Sequence, residues 1–170
     1  LCAAGHSLYR CKAEERYLTC STAAALDMLS DNERVIAMSL DSNDGLWLAT
    51  SMGRTFCSDR HMKKFHPSPV DTLLRDGLCE DIVSTRTSVW LMNNKKVVCY
   101  NLQRKCATIY PVTDEIVNIL SFRHRAICTD GDGVLAGGYG GFTHLPEQRN
   151  TKSSRVSRPV LTDVLLDGTS

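Results

Sequence analysis

The segment Asn43-Asp44-Gly45-Leu46-Trp47-Leu48-Ala49-Thr50-Ser51-Met52-Gly53 decides the fold. An acidic turn that ends in Asp-Gly leads into a short apolar run with a large aromatic residue, Trp47, at its centre. Because Asp-Gly supplies the positive φ that a tight hairpin needs, we expect a turn at Gly45 and a strand over residues 46–50. Gly53 marks the next turn.

Two further segments are variants of this one. They read Ser88-Val89-Trp90-Leu91-Met92-Asn93 and Gly131-Asp132-Gly133-Val134-Leu135-Ala136-Gly137-Gly138. The central large residues Trp47, Trp90 and Leu135 are 43 and 45 positions apart. A repeat of this length is typical of a solenoid, a propeller or an array.

The repeat reaches the first residue of the sequence. Counting 45 positions back from Trp47 leads to Cys2, in the small-residue segment Leu1-Cys2-Ala3-Ala4-Gly5. This count predicts that Cys2 takes the position of Trp47 in an earlier unit. We therefore expect the chain to be a fragment that begins inside a repeat, with any targeting and membrane segments lying outside it.

The apolar runs between the turns are short and rich in β-branched and aromatic residues, which favours strands over helices. We expect four strands in the second unit, at residues 35–40, 46–50, 55–57 and 62–66. Four short antiparallel strands in one unit describe a blade of a β-propeller.

The other units fit the same scheme. The expected strands are residues 82–85, 89–92, 96–100 and 106–110 in the third unit, residues 116–122, 126–129 and a run from Val134 in the fourth, and residues 7–11 and 17–20 in the first. Residues 22–29 fit either a turn of helix or a strand. The sequence thus predicts an all-β fragment of a β-propeller, with roughly three and a half four-stranded blades. The expected blade remnants are residues 1–30, 31–70, 71–112 and 113–146.

Composition excludes several classes of function. Twenty basic and nineteen acidic residues give a net charge of +1, and neither sign forms a long block, so no nucleic-acid partner is indicated for this segment. No apolar run approaches the roughly 20 residues of a membrane helix. None of the eight cysteines forms a Cys-x-x-Cys pair, so we expect no structural zinc. We expect no metal and no cofactor.

The cysteines are predicted to be mainly free thiols in the core, since free cysteine is among the most buried residue types. Cys11 and Cys57 are interpreted as small apolar residues at a repeat position that Tyr100 takes in the next unit. The best candidate for a disulfide is Cys99 with Cys106, across a hairpin at residues 101–105.

One cluster is a candidate ligand-binding site because it mixes basic and aromatic residues near a predicted hairpin. Basic side chains could hold a sulfate or a uronate of an acidic glycan through charge-assisted hydrogen bonds. The alternative is a solvated outer strand with Phe65 pointing inward. The candidate residues are Arg60, His61, Lys63, Lys64 and His66.

No catalytic residues are predicted. The acidic run at residues 130–133 lacks the Glu of a calcium loop, because its twelfth position is Gly141, and a hairpin turn explains it better. Gly137, Gly138 and Gly141 lack the Lys-Ser/Thr of a phosphate loop, and close backbone approach and tight turning explain them better. Trp47 and Trp90 recur at matching positions, which favours core packing over stacking on sugars.

These segments resemble the two-component regulator propeller repeat. Residues 41–53, followed by Phe56 and Phe65, fit that repeat, with Ala49 in place of its usual glycine. Residues 134–146 resemble the segment that closes the family's last blade, in which Gly137, Gly138, Gly141 and Pro146 match, and Ala136, Gly140 and Leu145 depart from the pattern.

The end of the chain extends this resemblance. Residues 147–158 are polar and basic, as in a linker. Residues 159–168 have strand character again without matching a blade, and residues 159–164 resemble the strand that opens the family's immunoglobulin-like domain. We therefore expect a partial propeller at residues 1–146, a linker at 147–158 and the start of an immunoglobulin-like domain at 159–170.

The resemblance implies a function. Proteins that carry this repeat are similar to the hybrid two-component sensor histidine kinases of gut Bacteroidetes. In such kinases a periplasmic propeller senses oligosaccharides and signals through an inner-membrane helix to control transcription. It implies an oligosaccharide ligand, a membrane attachment outside this segment and a dimer. The alternatives are a propeller enzyme, such as a glycan lyase or hydrolase, and an intracellular protein-binding scaffold. Half a ring also predicts self-association, or contact with the rest of the parent chain.

Overall fold

The computed structural model describes residues 1–14, 18–114, 117, 119–131 and 133–147. Within these residues the chain forms fourteen strands and one short 3-10 helix at Asp71–Leu73, with no α-helix. The predicted linker beyond Glu147 and the predicted domain start at residues 159–170 lie outside the described residues. The strands are β1 (Cys2–Ala4), β2 (Ser7–Ala13), β3 (Leu18–Ala25), β4 (Val35–Leu40), β5 (Leu46–Thr50), β6 (Thr55–Ser58), β7 (Phe65–Pro67), β8 (Asp81–Ser84), β9 (Ser88–Met92), β10 (Lys96–Asn101), β11 (Cys106–Pro111), β12 (Ser121–Thr129), β13 (Gly133–Tyr139) and β14 (Gly141–Pro146).

The strands form four antiparallel sheets in chain order. The first sheet is β1-β2-β3, the second is β4-β5-β6-β7, the third is β8-β9-β10-β11, and the fourth is β12-β13-β14. Each sheet is a meander, because every strand pairs with its neighbour in sequence. The predicted all-β class is thus confirmed, with four antiparallel sheets.

Most predicted strands are present with small changes. The second unit keeps its four strands, but β7 is shorter than predicted and begins at Phe65. In the fourth unit one strand, β12, takes the place of two, with an irregular register between Phe122 and Ile127. The helix alternative at residues 22–29 is wrong, because β3 continues to Ala25.

Three apolar cores separate the four sheets. Leu8, Leu48 and Phe56 belong to the core between the first and second sheets. Trp47 and Leu91 belong to the core between the second and third, while the core between the third and fourth contains Trp90, Phe122 and Val134. The first strands of the last three sheets also touch in order, β4 against β8 and β8 against β12.

The two tryptophans lie in these cores, as predicted. Trp47 is 3% exposed and Trp90 is fully buried. The Trp47 indole Nε1 donates to Asp41 Oδ2 at 2.9 Å, and Asp41 Oδ1 accepts the Gly45 amide at 3.0 Å. The acidic turn is therefore a local support for the tryptophan, in agreement with the hairpin interpretation. Trp90 instead stacks on Tyr110, with ring centroids 5.9 Å apart.

The predicted position of Cys2 in the repeat is wrong by one residue. Ala3 packs against the core that faces the second sheet, and Cys2 precedes it on an alternating strand. Ala3 is therefore the residue that corresponds to Trp47, and Cys2 points to the opposite face. A shift of one residue exchanges the two faces of a strand.

The predicted equivalence of Cys57 with Tyr100 is also shifted by one residue. Cys57 lies opposite Trp47, and its counterpart opposite Trp90 is Cys99. Tyr100 lies opposite Val89. The position that Cys57 occupies is thus taken by another cysteine in the third sheet, and its equivalence with Tyr100 is wrong.

The eight cysteines are all free, but only Cys79 and Cys99 are buried. Burial raises the pKa of both thiols to about 12. The expectation of core thiols is wrong for the exposed Cys2, Cys20, Cys106 and Cys128. The candidate disulfide is also absent, because Cys99 lies opposite Thr108 and Cys106 lies opposite Asn101.

Among the glycines predicted to serve close backbone approach or tight turning, Gly138 is closely approached, whereas Gly141 has a positive φ of 141° and nothing within 4 Å of an added Cβ. Gly133, predicted only as a turn residue, is closely approached as well. A Cβ at Gly133 would overlap the Leu145 carbonyl oxygen, and one at Gly138 would overlap that of Ser121. The end of this sheet is tied to the third sheet, where the Tyr110 hydroxyl donates to the Pro146 carbonyl at 2.7 Å.

Candidate ligand-binding site

Four of the basic candidates lie on the loop that joins β6 to β7, and His66 lies in β7 itself. A buried residue anchors this loop. Met62 is 7% exposed and belongs to the core between the first and second sheets. Its positive φ of 53° turns the chain, and its amide donates to the Asp59 carbonyl at 3.0 Å. Asp59 Oδ1 also accepts the His61 amide at 3.0 Å. The anchor places Arg60 and His61 on one side of the loop.

Arg60 and His61 line a small cleft together with Arg10 of β2. The cleft has a volume of about 230 Å³, and its remaining lining residues are Ser21, Thr22, Ala23 and Met62. Guanidinium groups have only donors, and hydroxyl groups can donate as well. The cleft therefore concentrates hydrogen-bond donors and positive charge between two sheets, which suits a sulfate or carboxylate group.

A larger cleft continues from the small one. It has a volume of about 530 Å³ and shares Arg10, Arg60 and His61 with its neighbour. It adds Leu1, Leu40 and Asp44. Apolar side chains and one carboxylate beside two guanidinium groups give a mixed surface. A ligand with one anionic group and a less polar remainder matches both clefts together.

The imidazole of His61 is held by its neighbour. Arg60 Nε donates to His61 Nε2 at 3.1 Å, so this nitrogen acts as the acceptor and the ring proton is assigned to Nδ1. The two arginines supply the permanent positive charge of the cleft. The pairing also fixes the direction of the Arg60 side chain.

The other three candidates lie elsewhere. Lys63, Lys64 and His66 line a separate cleft of about 220 Å³ with Asp27 and Phe65. Phe65 is half-buried and packs against the core between the first and second sheets, as the alternative interpretation of this cluster predicted. The structure thus divides the five predicted residues into two groups.

Sequence reasoning missed Arg10. It lies fifty positions before Arg60, in a strand with no other sign of a binding role. The two residues line one cleft only because the first sheet packs on the second. To predict that Arg10 belongs to this site, one would need to know the strand register of both sheets.

The cleft between the second and third sheets is larger, at about 580 Å³, but its charges are already paired. Arg54 Nε donates to Glu33 Oε1 at 2.9 Å, and Arg75 lies 2.7 Å from Asp71 Oδ2. Asp76 lies 2.9 Å from Lys96 Nζ. These pairs neutralise the wall of the cleft, so the cleft offers an anion less free charge than the Arg10–Arg60 pair does.

The ion pair of Glu33 is the strongest electrostatic feature of this region. The hydrogen bond from Arg54 lowers the pKa of Glu33 from its ordinary value of 4.5 to about 2. The Glu33 side chain is fully buried, while 38% of the Arg54 side chain is exposed. The pair closes the loop after β3 onto the turn between β5 and β6.

The predicted hairpin turn at residues 130–133 is described except for Asp132. Asp130 Oδ2 lies 2.8 Å from His144 Nε2 of the neighbouring strand. Among the residues that the structure describes, no group of three or more His, Cys, Asp or Glu side chains has the arrangement of a metal site. In the same residues, no helix has the length and apolar character needed to cross a bilayer.

Comparisons with known proteins found no match. The sequence matches no model of a protein family, and it matches no curated protein.

Proposed function

We propose that this chain is part of a β-propeller that serves as the periplasmic, ligand-binding sensor of a hybrid two-component histidine kinase. The single observation that carries the proposal is the succession of four meander sheets, two of which carry a tryptophan at one repeated position against the next sheet. Trp47 and Trp90 hold this position in the second and third sheets. The contacts of β4 with β8 and of β8 with β12 support an arrangement of sheets around a common axis.

The outer face of the fourth sheet supports a ring that continues. Leu135 has the same repeated position as the two tryptophans, yet it is only half-buried because no sheet follows the fourth within the described residues. β1 and β14 are edge strands of their sheets. We propose that the outer face of the fourth sheet is covered by further blades of the parent protein or by a second copy. Light scattering tests the second copy: a monomer at micromolar concentration would contradict it.

The ligand on this proposal is an oligosaccharide that carries a sulfate or a uronate. Its anionic group would be held between Arg10 and Arg60, which belong to different sheets. A ligand that bridges two sheets stabilises one arrangement of these sheets over another, and differential affinity is what shifts a conformational equilibrium. The module performs no chemistry itself, and the kinase lies outside this segment.

Binding to an array of acidic and neutral glycans tests the proposal. Arg60→Gln and Arg10→Gln should each weaken binding of a sulfated or uronate-containing glycan by about tenfold or more, since a hydrogen bond to a charged group contributes about 1.5–3 kcal/mol. Lys63→Gln is the matched control, because it removes a positive charge from the same loop outside the Arg10–Arg60 clefts. Absence of glycan binding, or equal losses in all three variants, would contradict the proposal.

A further inference from the structure

Three cysteine side chains form a contiguous cluster on the first sheet. Cys11 of β2 lies directly opposite Cys20 of β3, and their sulfur atoms are 2.8 Å apart. The sulfur of Cys2, on β1, lies 3.3 Å from that of Cys11. The thiols therefore form a row across three strands, with Cys11 in contact with both of the others.

The cluster lies on the accessible face of the sheet. Ala3 and Leu8 face the core of the second sheet, so the alternation of the strands directs Cys2 and Cys11 to the other side. Cys2 and Cys20 are exposed, and Cys11 is half-buried. A small dissolved molecule can therefore reach the sulfur atoms. The buried Cys79 and Cys99, whose pKa burial raises to about 12, have no such access.

We propose that Cys2, Cys11 and Cys20 form a thiol–disulfide exchange site whose substrate is a small organic disulfide of the glutathione type. Directly opposed residues of an antiparallel pair have Cβ atoms about 4.5–5.5 Å apart, and a disulfide needs about 3.5–4.5 Å. A bond between Cys11 and Cys20 thus requires only a small local movement.

The reaction balances with the small disulfide as oxidant. The Cys11 thiolate attacks one sulfur of the small disulfide, forms a mixed disulfide and releases one small thiol. The Cys20 thiolate then attacks the Cys11 sulfur, forms the Cys11–Cys20 bond and releases the second small thiol. Two protein thiols are oxidised, one small disulfide is reduced to two thiols, and the two protons pass to the released thiolates.

The third thiol makes this an exchange site and not a fixed crosslink. Cys2 is in contact with Cys11, so its thiolate can attack the Cys11 sulfur and release Cys20 as a thiol. The bond then joins β1 to β2 in place of β2 to β3. Cys11 is shared by both pairings, while Cys2 and Cys20 compete for it.

Peptide mapping after equilibration with reduced and oxidised glutathione tests the proposal. The chain is reduced, and brief native alkylation first checks that Cys2 and Cys20 are open. A second sample is equilibrated, quenched with acid and alkylated. We expect internal disulfides of both kinds, Cys11–Cys20 and Cys2–Cys11, under conditions in which Cys106 and Cys128 carry only glutathione adducts.

The variants separate the roles. Cys11→Ser and Cys11→Ala should each lower the yield of internal disulfide by at least about tenfold and leave glutathione adducts on Cys2 and Cys20, because the shared partner is lost. Cys2→Ser should keep the Cys11–Cys20 bond and lose the other pairing. Cys106→Ser, an exposed cysteine on the third sheet, is the matched control and should change neither pairing.

Circular dichroism confirms that each variant is folded before it is compared. Protection of both Cys2 and Cys20 from native alkylation would overturn the proposal. So would the absence of internal disulfide in the unmodified chain, or a single pairing that never exchanges. None of these readouts depends on glycan binding, so they stand apart from the proposed sensor function.

Discussion

The third sheet is covered on both faces, whereas the first sheet is covered on one. All five residues of β9 are buried, and they alternate between two cores: Trp90 and Met92 face the fourth sheet, while Val89 and Leu91 face the second. In the first sheet, β2 buries Leu8 alone. The same repeat thus yields one sheet held by large side chains and another held by alanines and a single leucine.

The same sequence repeat therefore produces a sheet packed on both faces and a sheet packed on one face. A strand with neighbours on both faces reads as a continuous apolar run, because each side chain meets a sheet. In β2 the residues Arg10, Cys11 and Lys12 follow Leu8, and none of them is fully buried. The free face of the first sheet carries the thiol cluster, and its other face contributes Arg10 to a charged cleft. Both candidate sites of the molecule depend on this sparsely packed sheet.

The largest effect is expected from Trp90→Ala. The side chain is fully buried in the core between the third and fourth sheets, so its removal should lower the free energy of unfolding by about 3–5 kcal/mol. Leu135→Ala is the matched control at the corresponding position of the fourth sheet. Because Leu135 is only half-buried, its loss should be clearly smaller in denaturant unfolding. Equal losses would indicate that the free face of the fourth sheet is covered in solution.

The next effect concerns the ion pair that joins the loop after the first sheet to the second sheet. Glu33→Gln removes the charge that accepts from Arg54, and should destabilise the chain at neutral pH by about 1–3 kcal/mol, since the carboxylate is buried and its partner is partly exposed. Urea unfolding at several pH values measures this effect.

The pH dependence has a definite sign. The pKa of Glu33 is lowered to about 2 in the folded chain from an ordinary value of 4.5. Its contribution to stability is therefore complete above pH 4.5 and is lost as the pH falls towards 2. The difference between the native chain and Glu33→Gln should shrink over this window. A difference that stays constant from neutral pH to pH 2 would contradict the assigned pKa.

The sequence predicted the second sheet well, and the reason is physical. The Asp-Gly turn fixes the start of β5, and the uninterrupted apolar run from Leu46 fixes its end, so the predicted and observed bounds agree. The first sheet lacks such signals. Cys2, Ala3 and Ala4 are all small, and the pattern therefore cannot decide which of them faces a core. The error of one residue at Cys2 follows directly.

Neither candidate site could be assembled from the sequence alone, although Arg60 and His61 were predicted as candidates. Arg10 and Arg60 line the same cleft because two sheets pack together, and no spacing within the sequence of either sheet predicts this. Cys11 lies nine positions after Cys2, and Cys20 lies nine positions after Cys11. This spacing brings the sulfur atoms together only with the observed register of two hairpins. The register depends on the turn at Gly5 and on the irregular pairing at Leu8.

A smaller effect is expected from Asp41→Ala in the second sheet. The carboxylate accepts the Trp47 indole and the amides of Asn43 and Gly45, so its removal should cost about 1–2 kcal/mol in the free energy of unfolding. Asp44→Asn is the matched control in the same turn, because asparagine tolerates the positive φ of 60° at this position. Fluorescence of Trp47 should change in the first variant, because the indole loses its acceptor. Equal stability of the two variants would show that the turn does not depend on Asp41.

The smallest effect on stability is expected at the cleft of the first sheet, and here binding and stability should separate. Arg60 is exposed and donates to a neighbouring side chain, so Arg60→Gln should change the free energy of unfolding by no more than about 0.5 kcal/mol. Met62→Ala, two positions away, removes the buried anchor of the loop and should cost about 2–5 kcal/mol. A cleft is a binding site in its own right only if ligand affinity falls in the first variant while stability falls in the second. If Arg60→Gln destabilised the chain as much as Met62→Ala, the arginine would have to be regarded as a support of the sheet contact, and the contrast between a packed third sheet and an open first sheet would weaken with it.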